Sequence, residues 1–390
     1  MGYQEALDWL FAQRRQGARG LGRVRALLER LGHPEESFQA VHVLGTNGKG
    51  SVVAYLEAAF RAQGLPFGAY TSPHLLDFRE RIRTHQGLIP EAAVVRFVAW
   101  AQGQSWPEPP GFFDLATALA FWHFREEGVA LAAVEAGVGG EKDATNALSH
   151  VVLTVLTHVG EDHLEALGGS LEGVAWEKAG AFRPGVPVVT GAEGVGLEVA
   201  RRVAAARGCP LHLLDPEDPL FALPAPPALK GAFQEANARL AAAALRLLGF
   251  PEEAIARGLR EARHPGRLER FQVEGVEVYL DGAHNPPAAQ ALAREFAAYH
   301  LVFGAFSRKD VRGVLAQLLP KAQSVRYTRA GEGALGEELG TPFFEEPWEA
   351  LCHAVAAAQE DGLPVLATGS LYLVGALRGR LLGGFPAEEP

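Results

Sequence analysis

Apolar positions in the first half of the chain switch repeatedly between helical and strand spacing. Tyr3 to Arg14 and Arg23 to Leu31 read as short helices, Gln39 to Leu44 is β-rich, and Ser51 to Gln63 is helical again. Apolar runs at Pro66 to Tyr70, Ala130 to Glu135, Val151 to Leu156 and Val186 to Thr190 then alternate with helical stretches such as Leu115 to Glu127. Continuous short apolar runs separated by helices imply strands buried on both faces, hence an α/β domain with a mostly parallel sheet. Helices around Asn237 to Leu248 and Pro251 to Ala262 lead into Arg263 to Gly266, which is short, polar and carries Pro265. From Phe271 the alternation restarts, with strands at Val276 to Asp281, Leu301 to Phe306 and Pro364 to Thr368 and helices after Pro287, Asp310 and Leu371. The expected architecture is a phosphate-loop, mostly parallel α/β domain over residues 1–268 and a smaller Rossmann-like α/β domain over 269–390. The proline-rich stretch Leu213 to Ala228 reads as a surface excursion.

Composition narrows the function classes. With 390 residues and 48 % hydrophobic content the chain can bury real cores. Its formal charge of −10, from 36 basic and 46 acidic side chains, argues against a general nucleic-acid binder and offers no attraction to anionic lipid. An anionic substrate would have to be met by local positive groups. Cys209 and Cys352 lie far apart without a CxxC pattern, which excludes a disulfide framework and a thiolate zinc site; each is expected to be a buried small apolar residue. The N-terminal helix pattern contains Glu5, Asp8 and Trp9 and resembles no signal peptide, and no apolar run approaches the roughly 20 residues of a membrane span. A cytoplasmic protein is expected.

The chemistry concentrates at strand ends. In Gly45-Thr46-Asn47-Gly48-Lys49-Gly50-Ser51, between a strand and a helix, the glycines let backbone N–H groups face a polyphosphate while Lys49 supplies a cation. The common nucleotide loop has Ser or Thr directly after the lysine; here Gly50 intervenes. A glycine turn with a solvated lysine is the plain alternative. Glu135 closes the run LAAVE at the carboxyl end of a strand, where parallel sheets place their ligand crevice, and reads as a magnesium ligand. If Leu171 to Phe182 is helical, Lys178 interrupts the stripe of Leu171, Val174, Ala175 and Phe182, one of only six lysines in the chain. The alternative is a side chain snorkelling near a helix end. Asp281 follows VEVYL and precedes the abrupt loop Gly282 to Pro287, again a strand's carboxyl end, although a helix cap plus turn would look the same.

The GTNGKGS variant resembles the Mur ligase superfamily, and the rest of the chain resembles its folate branch, dihydrofolate synthase and folylpolyglutamate synthase. The likeness rests on seven further ordered segments: TSPHLLDFRERIR (Thr71 to Arg83), VEAGVGGEKDATN (Val134 to Asn146), GEDHLEALG (Gly160 to Gly168), EKAGAFRPGVPVV (Glu177 to Val189), HPGRLE (His264 to Glu269), LDGAHNPPA (Leu280 to Ala288) and TGSLYLVGALR (Thr368 to Arg378). Only 44 residues precede Gly45, too few for the nucleotide-sugar domain of the cell-wall ligases. The resemblance implies ATP contacts by Thr46, Asn47, Gly48, Lys49, Gly50, Ser51, Asn237, Arg267 and Asp281. It implies two magnesium ions held by Ser51, Ser72, Glu135 and His163 with a carbamylated Lys178, and catalytic roles for Lys49, Lys178 and His284. Burial of Lys178 would favour the neutral amine that reacts with carbon dioxide. Phe112, Phe113 and Asp114, with Lys142, Asp143 and Ala144, resemble a pterin-binding region, though the two phenylalanines also suit a core. Ser307, Arg308 and Lys309 could face the same cleft, and an arginine at the domain junction would meet nucleotide when the domains close. The chain departs from the usual pattern at Glu141, where the family usually shows an arginine after the glycine pair, at Gly22, where a glutamate is missing from the early LGLERV signature, and at His158 and Glu161, all toward the substrate side.

The implied activity is ATP-dependent ligation of L-glutamate to a folate or dihydropteroate carboxylate through an acyl phosphate, by a monomer with no nucleic-acid or membrane partner. Two alternatives stand beside it: a nucleotide-switched binding protein, and another Mur-type amide ligase with a different acceptor.

Overall fold

The computed structural model of the chain describes residues 1–13, 19–161, 164–307 and 309–383. It divides into two compact units, the first comprising Met1–His74, Phe78–Ala228 and Glu235–Arg263, the second Leu75–Asp77, Leu229–Gln234 and His264–Pro390.

The first unit is built on strands β1 (Gln39–Leu44), β2 (Phe67–Tyr70), β3 (Ile82–Thr84), β4 (Gly87–Leu88), β5 (Leu131–Glu135), β6 (His150–Leu156), β7 (Val188–Thr190) and β8 (Leu211–Leu213). They lie in the order β4-β3-β2-β5-β1-β6-β7-β8. Pairing is parallel from β2 to β8, and β3 and β4 add an antiparallel edge. Its helices are α1 (Tyr3–Ala12), α2 (Gly22–Arg30), α3 (Lys49–Ala62), α4 (Glu91–Gln102), α5 (Phe112–Glu126), α6 (Leu171–Ala179), α7 (Gly194–Arg207), most of α8 (Ala232–Leu247) and α9 (Glu252–Glu261). Central β1 and β5 are covered on both faces, which is why their sequences run apolar without alternation. The carboxyl ends of β1, β2, β5 and β6 lead into Gly45, Thr71, Ala136 and Thr157, so four candidate loops emerge at one edge of the sheet.

The second unit carries β9 (Glu269–Val273), β10 (Val276–Leu280), β11 (Tyr299–Phe303), β12 (Ala322–Thr328), β13 (Phe343–Phe344) and β14 (Val365–Thr368) in the order β13-β12-β11-β14-β10-β9, antiparallel only between β9 and β10. Helices α10 (Pro286–Arg294) and α11 (Val311–Leu318) contribute to the core on one face, α12 (Pro347–Asp361) and α13 (Leu371–Leu381) to that on the other. No helix among the described residues is long and apolar enough to cross a membrane.

Two sequence expectations need correction. Helix α6 stops at Ala179, capped by Gly180 ahead of Pro184, so Phe182 is buried from beyond the helix rather than on it. Cys209 is buried as expected, but Cys352 is exposed on α12. The Leu213 to Ala228 excursion does lie mostly at the surface, anchored by Phe221, which is fully buried because an aromatic ring of that area is costly to leave in water.

Polar groups are rare inside the first sheet, and His42 in the middle of β1 is one of them, fully buried. Its Nε2 lies 2.8 Å from Thr145 Oγ1. Burial, helped by the Arg183 guanidinium, pushes its pKa down to about 3.

Two stability outcomes follow from this packing. A Cβ on Gly258 in α9 would lie 2.7 Å from Ala59 Cβ and 2.9 Å from Ala59 N of α3. Alanine in a helix is favoured over glycine by about 1 kcal/mol, but overpacking against backbone costs roughly 1–3 kcal/mol. Gly258→Ala should therefore lower the unfolding free energy in urea by about 1 kcal/mol rather than raise it. For His42 the folded pKa lies below the ordinary value of 6.5. Between pH 6.5 and about 3 the unfolded chain binds a proton that the folded chain refuses, so stability rises with pH across that window and is lost as pH falls through it. His42→Leu should flatten the slope of unfolding free energy against pH there by up to about 1.4 kcal/mol per pH unit.

Candidate active site

The glycine loop folds as it does because two of its glycines have no substitute. Gly45 and Gly48 take φ of 144° and 89°, and a Cβ on either would collide with Thr157 Oγ1 or Asn237 Oδ1. Thr157, just past β6, donates to Asn47 O at 2.6 Å and lies 3.2 Å from Leu44 O. Thr46 N donates to His158 O at 2.7 Å, and its hydroxyl exchanges hydrogen bonds of 3.0 Å with Gly160 O and N. The loop is thereby laced to the segment after β6. Gly48 brings no capping side chain of its own to α3, whose positive end opens with Lys49, Gly50 and buried Ser51.

Two ammonium groups converge here. Lys49 Nζ and Lys178 Nζ each donate to Gly45 O at 2.9 Å, and Lys49 also reaches Thr46 O at 3.3 Å. Lys178 is buried, as its place in an apolar stripe implied. Beside them Glu135, buried at the end of β5, accepts from Ser72 N at 3.1 Å through Oε2. The Ser72 loop is itself held by Arg83, whose Nη1 donates to Thr71 Oγ1 at 2.9 Å and to Glu80 O, while its Nε and Nη2 grip the Glu57 carboxylate of α3 at 2.9–3.2 Å. Glu57 raises the Arg83 pKa against the pull of burial. The structure thus brings Thr46, Asn47, Gly48, Lys49, Gly50, Ser51, Ser72, Glu135, Lys178 and Asn237 to one edge of the first unit.

The aromatic and acidic residues nearby have clear local work. Phe113 stacks with Tyr70 at 6.1 Å and covers Gly137, where a Cβ would stand 2.5 Å from its ring; Phe112 stacks on Phe11 at 5.2 Å, and the Arg81 guanidinium lies 5.1 Å from its centroid. Asp114 accepts from Gly111 N at 2.9 Å as the third residue of α5, a helix-start bond. Asp143 is buried; Oδ1 accepts from Thr145 N at 3.0 Å and Thr145 Oγ1 at 2.5 Å, Oδ2 from Gly137 N at 3.1 Å and Val138 N at 2.9 Å. Burial pushes the Asp143 carboxyl up while these donors pull it down. Lys142 is exposed, its N–H donating to Glu177 Oε1 at 3.0 Å, and Ala144 is buried. Glu177 also meets Arg19 at 3.4 Å, and Arg19 donates to Val138 O, so the Gly137 to Lys142 loop lies clamped against the end of α6.

In the second unit Asp281 is buried after β10, its oxygens accepting from Leu268 N at 2.8 Å and Ala283 N at 2.9 Å. Burial pushes this carboxyl up, opposed first by the Arg267 guanidinium. His284 Nδ1 donates to Gly282 O at 2.8 Å, and Asn285 caps α10 through Ala288 N. Arg267, Asp281 and His284 are therefore neighbours at one strand end. Ser307 is exposed and Lys309 partly buried beyond β11. His163 and Arg308 lie outside the described residues.

Sequence reasoning missed Thr157, Arg83, Glu57, Glu177, Arg19 and His42. The available signals were an arginine and a glutamate inside otherwise apolar elements and a histidine in the strand before the loop.

Residues 266–371 match the family described as Mur ligase, glutamate ligase domain. The dihydrofolate synthase/folylpolyglutamate synthase of Bacillus subtilis is 32% identical over 97% of this chain and 99% of its own. A probable bifunctional folylpolyglutamate synthase/dihydropteroate synthase of Haloferax volcanii is 37% identical over 97% of this chain, which spans 50% of that longer relative. Among solved structures, the Mycobacterium tuberculosis folylpolyglutamate synthase complexed with ADP superposes with a TM-score of 0.88 at 29% identity, covering 98% of this chain and 99% of that one. With a glycine loop, two converging lysines and a strand-end glutamate arranged on this two-unit α/β framework, the chain belongs to the folylpolyglutamate synthase/dihydrofolate synthase family of Mur ligases.

Proposed function

We propose that the protein is an ATP-dependent ligase joining the amine of L-glutamate to a carboxylate of a folate or dihydropteroate. The observation that carries this reading is the meeting of Lys49 and Lys178 on Gly45 O beside Glu135, a charge arrangement suited to a polyphosphate, in a chain whose relatives are named for this reaction. An acceptor carboxylate oxygen attacks the γ-phosphorus of ATP, ADP leaves with the bond's electrons, and a mixed acyl phosphate forms. The neutral glutamate amine then adds to the acyl carbon; the tetrahedral adduct loses inorganic phosphate and the amine proton, leaving an amide. Lys49 and the N-terminal end of α3 oppose the charge that builds on the transferred phosphoryl oxygens.

The donor set fits magnesium, since Ser51, Ser72 and Glu135 offer hard oxygen and Glu135 is buried at the strand end beside the loop. Those residues, with His163, would hold it, and it would supply charge neutralisation on the phosphates. Lys178 is the candidate for carbamylation: the ammonium first gives up a proton, the neutral nitrogen attacks carbon dioxide and loses a second, and the remaining N–H can keep the bond to Gly45 O. Asn237, Arg267, Asp281 and His284 would contact nucleotide, and Phe112 to Asp114 with Lys142 to Ala144 would border the acceptor.

Incubation with Mg-ATP, glutamate and either dihydropteroate or a reduced folate should yield ADP and an acceptor heavier by one glutamyl unit in mass spectrometry; nucleotide binding without extension of any acceptor would point to a nucleotide-switched binder. Lys49→Ala should reduce kcat by about a hundredfold or more. Lys178→Arg separates the two roles of that residue. It preserves a cation but cannot be carbamylated, so it should abolish turnover, and wild-type protein in bicarbonate should show a carbon dioxide adduct on the Lys178 peptide. Full activity of the arginine variant would remove the carbamate from the proposal.

A further inference from the structure

Resting on that reading of the acceptor region, we infer that His42 is a positioning residue for acceptor binding, acting through Thr145 and Asp143 on the loop Gly137 to Ala144. The four acceptor positions of the Asp143 carboxylate are all occupied, by the N–H groups of Gly137, Val138 and Thr145 and by the Thr145 hydroxyl. Asp143 therefore shapes the loop instead of offering a spare lone pair. Its Oδ2 gathers two consecutive N–H groups at Gly137 and Val138, fixing the backbone on which the Phe113 ring lies.

The proton positions follow from counting donors. Three backbone N–H groups point at Asp143, which favours its anion, so the hydrogen between Thr145 and Asp143 belongs to the hydroxyl. A hydroxyl has one hydrogen, so Thr145 Oγ1 accepts from His42, and His42 carries its proton on Nε2. Its Nδ1 is then a bare acceptor, in accord with its being buried without a hydrogen-bond partner. The opposite assignment would leave a buried N–H donor orphaned, which is the rarer defect. An aliphatic side chain would fill this central strand position without a polar group to satisfy. What the imidazole adds is a donor that orients the Thr145 hydroxyl toward Asp143, and so ties the strand feeding the phosphate loop to the acceptor loop.

The test compares His42→Leu and Thr145→Val, which remove a donor or the relay hydroxyl, with His42→Gln and Thr145→Ser, which can retain them. Each of the first pair should raise the acceptor KM about tenfold, the scale of losing an outer hydrogen-bond partner, while ADP affinity by calorimetry stays at the wild-type value. The second pair should return within about threefold of wild type, and the double variant His42→Leu/Thr145→Val should be no worse than Thr145→Val, because both interrupt one chain. Amide hydrogen exchange at Gly137 and Val138 should accelerate in His42→Leu while Val52 and Val53 exchange unchanged. An unchanged acceptor KM, equal losses for ADP and acceptor, multiplied effects in the double variant, or unaltered exchange at Gly137 and Val138 would each overturn the inference. Wild-type protein that extends no acceptor would instead overturn the ligase reading and the acceptor role with it, the exchange result still deciding whether the relay orders the loop.

Discussion

One carbonyl oxygen serves two lysines. Gly45 O is 2.9 Å from both Lys49 Nζ and Lys178 Nζ, so two like charges face each other across a single acceptor. Like charges held this close repel, and an anion between them offsets that repulsion. The arrangement suits negative charge. A polyphosphate supplies it from outside, and conversion of Lys178 to a carbamate would supply it from within. Much nearby structure serves this arrangement: Thr157 and Thr46 lace the loop that presents the carbonyl, Gly140 lets backbone approach the turn of α6 bearing Lys178, and the Glu57–Arg83 pair steadies the Ser72 loop facing Glu135.

The close approaches explain the density of glycine. A Cβ on Gly140 would stand 2.8 Å from Lys178 O and 2.9 Å from Glu177 O, and one on Gly137 would enter the Phe113 ring. These glycines resemble part of a dinucleotide fingerprint in sequence, yet the structure uses them for packing against α6 and α5. Gly50 is different, since its place after Lys49 puts Ser51 one residue further into α3 than in the common loop, within the buried first turn.

The parts of the fold legible in sequence were those whose signal is local. Strand β1, the glycine loop and α3 form one uninterrupted segment, and Lys178 announced itself by breaking a four-residue apolar stripe. The short strands β3, β4, β8 and β13, two or three residues each, were not legible, because so few positions establish no period. The supporting polar contacts were hidden for another reason. Arg83 and Glu57 are 26 positions apart, His42 and Thr145 are 103, and Thr157 and Asn47 are 110, so the pairing exists only once the sheet order is known. A single chain shows each residue type but not its partner.

The departures from the family pattern can be weighed from where they fall. Glu141 gives its N–H to Glu177 O, and its side chain lies against Gly180, where an added Cβ would stand 2.8 Å from Glu141 Cβ. That exchange of a positive for a negative side chain alters the charge beside Lys142 while leaving the backbone clamp intact, so its effect belongs to ligand electrostatics rather than to the fold. His158 folds its ring over Gly160, and its carbonyl receives the N–H of Thr46, so its backbone role is independent of its imidazole. Burial and the nearby Lys178 push the imidazole toward its neutral form, opposed by Glu193. A neutral ring adds no third positive charge to the two lysines already there. Both residues hold the backbone of the loop they occupy through main-chain bonds, and their side chains bear on what a ligand would meet.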